Sequence, residues 1–185
     1  DDTDNACPRD GAVYLFSFDS AAPVGVPPWS QQAYIKASQR AFTMDVQQFG
    51  TSVSLSTTGE TLAVGAPSDQ NTNRGAIYIY HYDNTPGAEG WQDAIYLTAS
   101  NAEDADMFGR SVALSGDGDT LAVGALNEDS AGVAMSGLGE TALAPDSGAV
   151  YVFEKDNSGN WLQTRFVKAS NTGSDDRFGS SVAVN

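Results

Sequence analysis

Phe108-Gly-Arg-Ser-Val-Ala-Leu, Thr120-Leu-Ala-Val-Gly-Ala, Gly148-Ala-Val-Tyr-Val-Phe and Trp161-Leu-Gln-Thr-Arg-Phe-Val-Lys-Ala-Ser follow one another along the chain. Working outward, the same four marks recur in the same order. Phe-Gly pairs begin at Phe49, Phe108 and Phe178, and Gly-Ala segments at Gly11, Gly75 and Gly148. A tryptophan opens the last segment at Trp29, Trp91 and Trp161, and Ala-Ser closes it at Ala37, Ala99 and Ala169. Their order is fixed while their spacing drifts, as expected of strands joined by loops that tolerate insertion.

Each segment reads as a strand. Ser52-Val-Ser-Leu, Ser111-Val-Ala-Leu and Ser181-Val-Ala-Val alternate small with large residues. That alternation is what a strand packed on both faces near a crowded axis requires, and the second segment is Thr61-Leu-Ala-Val-Gly-Ala or Thr120-Leu-Ala-Val-Gly-Ala. Their glycines, Gly65 and Gly124, let a neighbouring backbone come close. Gly75-Ala-Ile-Tyr-Ile-Tyr is β-branched and aromatic. Period two along Trp161–Val167 puts Trp161, Gln163, Arg165 and Val167 on one face, as in an outer strand. Asp117-Gly118 is a hairpin signal between the first and second segments. No stretch carries a helical period, so the chain is expected to be all-β.

A repeat of four antiparallel strands is the signature of a β-propeller blade. Residues 1–48 would then hold the third and fourth strands of an incomplete blade, and 49–107 a complete one. Residues 108–177 would form a second complete blade with a long insertion at 126–147, and 178–185 the first strand of the next. A ring typically needs four to eight blades. The expectation is a part of a larger propeller, or an array that closes with other copies.

The chain has 24 Asp and Glu against 9 Lys and Arg, a formal net charge of -15. That charge argues against nucleic acid and anionic lipid as partners. Cys7 is the single cysteine, so no disulfide can form within the chain. No charged-then-apolar leader opens the sequence and no apolar run reaches membrane-spanning length, so no membrane insertion is expected and any export signal would lie outside this numbering.

Phe-Gly-x-Ser-Val-Ala-Leu-Ser followed by Leu-Ala-Val-Gly-Ala-Pro resembles the FG-GAP repeat, the blade of the integrin α-subunit propeller. The stretch Lys168-Ala-Ser-Asn-Thr-Gly-Ser-Asp-Asp-Arg-Phe-Gly-Ser-Ser-Val-Ala is similar to the tandem bacterial branch of that family. The resemblance runs from Gly11 onward. It implies blades of a seven-bladed ring, in a secreted or cell-surface protein used for binding or adhesion and not an enzyme. Calcium-binding family members carry Asp-x-Asp-x-Asp-Gly between the first two strands. Here the turns read Ser115-Gly-Asp-Gly-Asp-Thr and Ser56-Thr-Thr-Gly-Glu-Thr, with too few carboxylates for a cation that takes six to eight oxygens. Ca²⁺ remains the one cofactor the resemblance leaves open.

Loops after the second and fourth strands share one face, which is the family's ligand face by resemblance. It gathers Asp69 and Asn71, the approaches to Phe-Gly with Asp104, Asp106, Asp175 and Asp176, and the insertion with Asn127, Glu128, Asp129 and Asp146. Two readings stand for these side chains: they hold Ca²⁺ or a ligand, or they cap their own loops by accepting backbone N–H groups. Asp106 and Asp176 stand at the same offset from Phe-Gly, which favours capping.

Catalysis finds little support. His81 is the only histidine, at the end of a strand, and no Gly-x-Ser-x-Gly elbow is present. The expected function is an extracellular, non-enzymatic binding or adhesion module for a protein or glycan of the cell surface or matrix. The alternative is a structural, self-assembling surface or filament protein completed by strand pairing between chains.

Overall fold

The computed structural model describes residues 11–37, 47–69, 72–87, 90–92, 94–130 and 144–185. Every regular element among them is a strand. β1 (Val13–Phe18) and β2 (Trp29–Ile35) form an antiparallel ladder. The middle sheet contains β3 (Ser52–Leu55), β4 (Thr61–Ala66) and β5 (Ala76–Asp83). Its fourth position is shared by β6 (Gly90–Trp91) and β7 (Ile95–Leu97), both paired with β5. The last sheet is a four-stranded meander in which β8 (Phe108–Leu114), β9 (Thr120–Ala125), β10 (Ala149–Lys155) and β11 (Trp161–Val167) pair in sequence order. This is the all-β, antiparallel blade architecture expected from the repeat.

Two expected strands differ. The stretch opening with Trp91 divides into β6 and β7, whereas its counterpart β11 is unbroken. Ser181–Val184 forms no ladder, because no second-strand partner lies beside it among the described residues.

The hydrophobic core lies between the sheets, and period two creates it. On β5, Ile77 and Ile79 join Phe108, Leu121, Val123, Tyr151 and Phe153 on one side. Tyr78 and Tyr80 join Phe49, Leu62, Val64, Val13 and Ile35 on the other. A central strand therefore has no solvent face, and all six residues of β4 are buried. Phe49 meets Tyr78 edge-to-face at 5.4 Å, and Phe108 meets Tyr151 likewise at 5.3 Å.

The repeated phrases themselves lock one sheet to the next. Gly11, Gly75 and Gly148 each form a parallel bridge to the phenylalanine of the following Phe-Gly, at Phe49, Phe108 and Phe178. Gly75 has φ 85°, and a Cβ there would stand 2.0 Å from the Phe108 carbonyl oxygen. Glycine is required both for that dihedral and for that approach. The second-strand glycine makes room for the next Gly carbonyl, which a serine hydroxyl then caps. Ser52 Oγ donates to Gly109 O at 2.8 Å, and Ser111 Oγ to Gly179 O at 2.7 Å. The glycines, phenylalanines and serines of the motif thus serve contacts with the neighbouring repeat.

Candidate functional site

The approaches to Phe108-Gly and Phe178-Gly run alongside the preceding loops between second and third strands. The N–H groups of Ala105, Met107 and Phe108 donate to the carbonyls of Thr72, Asn73 and Arg74. Those of Asp175, Arg177 and Phe178 donate to Pro145, Asp146 and Ser147. The match between the two sets brings the acidic approaches and the insertion's ends to one face. Ala105 and Asp175 take left-handed φ values of 73° and 64°, as do Met107 and Arg177 at 57° and 52°. The tight double turn therefore recurs whatever side chain occupies it.

Within that turn two carboxylates are spoken for. Asp106 Oδ2 accepts the Glu103 N–H at 2.8 Å, and Asp176 Oδ2 accepts the Gly173 N–H at 2.7 Å. Both act as caps of their own loops. Asp129 Oδ1 accepts the Asp146 N–H at 2.7 Å and closes the base of the insertion. Asn127 N–H donates to the Asp106 carbonyl at 3.3 Å, joining that base to the approach.

Asp69 and Glu128 occupy the same repeat position and are 1% and 3% exposed. Asp69 accepts the Tyr78 hydroxyl at 2.9 Å and the Gln47 amide at 3.4 Å. Glu128 forms an ion pair with Lys168 Nζ at 2.6 Å, and Lys168 is itself buried against Ser147 Oγ at 2.6 Å. These two acids are committed to the interior. Asp104 pairs in the open with Arg74 at 2.8 Å, and that hydrogen bond, aided by Thr72, holds its carboxyl below the usual range. Asp175 is exposed. Asn71 and residues 131–143 lie outside the described residues.

The structure therefore unites Asp106, Asn127, Glu128, Asp129 and Asp146 at one place and sets Asp69 apart in the neighbouring sheet. Comparison of the two copies explains the electrostatics. Gln47 stands two residues before Phe49, where Asp106 stands before Phe108. In the middle sheet one buried acid, Asp69, meets a neutral amide. In the last sheet two buried acids, Asp106 and Glu128, stand near each other, and Lys168 pairs with Glu128. Burial, followed by the neighbouring charges of Glu128, Glu103 and Asp129, pushes the Asp106 carboxyl up to about 7. Burial likewise raises the Tyr151 phenol, with Glu128 and Asp106 adding to the shift.

Lys168 and Ser147 were not singled out as site residues by sequence reasoning. The signal for Lys168 was present in Lys-Ala-Ser, which closes the first and last copies but reads Thr98-Ala-Ser in the middle one. Among the described residues no three His, Cys, Asp or Glu side chains converge to hold a metal ion. Of the two acids in the turn between β8 and β9, Asp117 already accepts the Ser115 hydroxyl and the Asp119 N–H.

No curated protein matches the chain significantly. A profile described as the FG-GAP repeat matches residues 29–80 and 91–153, together more than half of the chain. Each matched copy begins at a fourth-strand tryptophan and ends in the third strand of the next sheet, so one sequence unit spans one interlock. By the extent of that match, the chain belongs to the FG-GAP repeat family.

Proposed function

We propose that the chain is a non-catalytic, extracellular binding module whose ligand face is formed by the loops after the second and fourth strands. The observation that carries this reading is the way this face is tied down. Asp106, Asp129 and Asp176 bond backbone N–H groups, and Glu128 is paired with Lys168. A preorganised base of this kind presents the exposed acids Asp104 and Asp175 at little ordering cost on binding. The ligand is a protein or glycan of the cell surface or matrix, and it carries basic or polar groups to suit the acidic rim. Biolayer interferometry against immobilised fibronectin, collagen, laminin and mannan tests the assignment. Replacement of residues 131–143 by a Gly-Ser linker, combined with Asp104→Ser and Asp175→Ser, is expected to abolish any binding found. Undiminished binding by that variant overturns the face.

One observation favours the second reading, self-assembly through strand pairing. Tyr14, Phe16 and Phe18 on β1 are 53%, 55% and 56% exposed, whereas Tyr151 and Phe153 at corresponding positions of β10 are 0% and 3% exposed. A two-stranded ladder with an aromatic face invites an added strand. Light scattering that finds a defined ring or filament supports this reading, and a monomer at all concentrations removes it.

A further inference from the structure

The fourth position of the middle sheet departs from the repeat. In the last sheet β11 is continuous and Trp161 is 8% exposed. In the middle sheet the ladder breaks after Trp91, and that indole is left half-buried beside a cleft of about 460 Å³. The cleft runs along the outer rim between β2 and the β5–β6 pair, lined by Tyr34, Tyr82 and Trp91 with Gln32 and Gln92. Gln32, Tyr82 and Trp91 also line an adjoining cleft of about 390 Å³, so two spaces meet at these three residues.

We propose that this rim cleft binds a neutral oligosaccharide. A pyranose has an apolar C–H face and an edge of hydroxyls, and it needs a flat aromatic wall beside fixed amides. Tyr82 and Trp91 meet at 5.4 Å and 68°. An edge-to-face pair consumes one ring's edge and one face of the other, so ring faces remain for a ligand. Tyr34, 45% exposed, adds a third ring. The Gln32 amide nitrogen donates to Ser17 Oγ at 2.7 Å and Ser30 Oγ at 3.1 Å, which fixes the group and leaves its carbonyl oxygen to accept a sugar hydroxyl. The Gln92 amide nitrogen donates to the Gly90 carbonyl at 3.2 Å with the same consequence. Side chains already held lose little freedom on binding.

Charge selects among sugars. A protein of formal net charge -15 repels uronates and sulfated chains, which leaves neutral hexoses. Two adjoining spaces sharing one aromatic pair suit a chain of several rings. The equivalent cleft between the middle and last sheets is about 240 Å³ and is walled by Ile79, Ile95 and the buried Trp161. It lacks both the exposed rings and the amides, so the site is specific to the first junction. The rim cleft is separate from the loop face and stands or falls independently of it.

Saturation-transfer NMR of the whole chain with cellohexaose, laminarihexaose and mannohexaose tests this. At least one is expected to receive transfer, strongest at ring C–H protons. Gln32→Ala is expected to weaken that binding about fivefold, the value of one lost hydrogen bond, without changing the melting temperature. Trp91→Ala is expected to abolish it. Gln32 is exposed, so its variant decides the matter even where Trp91→Ala fails to fold. Absence of transfer to all three sugars overturns the proposal. So does affinity unchanged in the Gln32 variant, or full displacement by decaproline, which would mark a Pro-rich peptide groove instead.

Discussion

Gly124 has no unusual backbone dihedral, yet an added Cβ would lie 1.9 Å from the Gly179 carbonyl oxygen. Gly159 has φ 85° with nothing within 4 Å of the same imagined atom. The pair separates steric from conformational demand. Gly159→Ala is expected to cost about 1–2 kcal/mol, the left-handed penalty of an L residue. Gly124→Ala is expected to cost about 3 kcal/mol or more, because two backbones must part. Urea unfolding of both variants checks the order, and equal losses would refute it. Asp106 makes a second prediction at this scale. Its folded carboxyl titrates at about 7, above the 3.8 of an ordinary aspartate. The folded state therefore binds the proton more tightly than the unfolded one. That contribution is complete below about 4 and is lost as pH rises through 7, at ~1.4 kcal/mol per unit across the window. Stability should fall from pH 4 to 7.5, and Asp106→Asn should flatten the fall while keeping the Glu103 cap. The glycines were legible in the sequence because they recur. The raised Asp106 carboxyl was not, because it comes first from burial between packed loops and then from Glu128 and Asp129, which the fold brings beside it.

At the scale of elements, the strands were legible wherever composition and period agreed. Thr61–Ala66 and Thr120–Ala125 are apolar after their opening threonine, and both are central strands. Trp91–Leu97 carries the same opening tryptophan as β11, yet it holds two short strands, β6 ending at Trp91 and β7 beginning at Ile95. The repeat predicts one continuous strand here, and the two described pieces each pair with β5 instead. The ends of elements were the least legible part. The exits of β9 and β11 are joined by Glu128 and Lys168, from loops that the sequence placed on one face without pairing them. Lys168→Met leaves a buried carboxylate unpaired and is expected to cost about 3–5 kcal/mol. The double variant with Glu128→Met is expected to cost markedly less than the sum of the single changes. A double-mutant cycle in urea measures the difference, and simple additivity would show that the pair is not coupled.

Across the whole molecule, the interlocks are local while the charge is not. Each sheet is held to the next by glycine contacts, serine hydroxyls and a shared aromatic core, all short-ranged and insensitive to salt. Against them stands a formal net charge of -15, with acids gathered on the loop face. Self-repulsion of that size opposes the compact state at low ionic strength. Screening shortens from roughly 30 Å at 0.01 M salt to about 3 Å at 1 M, so the opposing term fades while the interlocks persist. The melting temperature is therefore expected to rise by several degrees over that range of NaCl, at ~4 °C or less per kcal/mol for a chain of this size. CaCl₂ at matched ionic strength separates screening from coordination. Asp117 is committed to Ser115 and the Asp119 N–H, and no three ligating side chains converge among the described residues. Ca²⁺ is thus expected to raise the melting temperature no further than NaCl does. A larger rise, reversed by chelator, would place a cation on the loop face and show that its carboxylates rearrange to receive it.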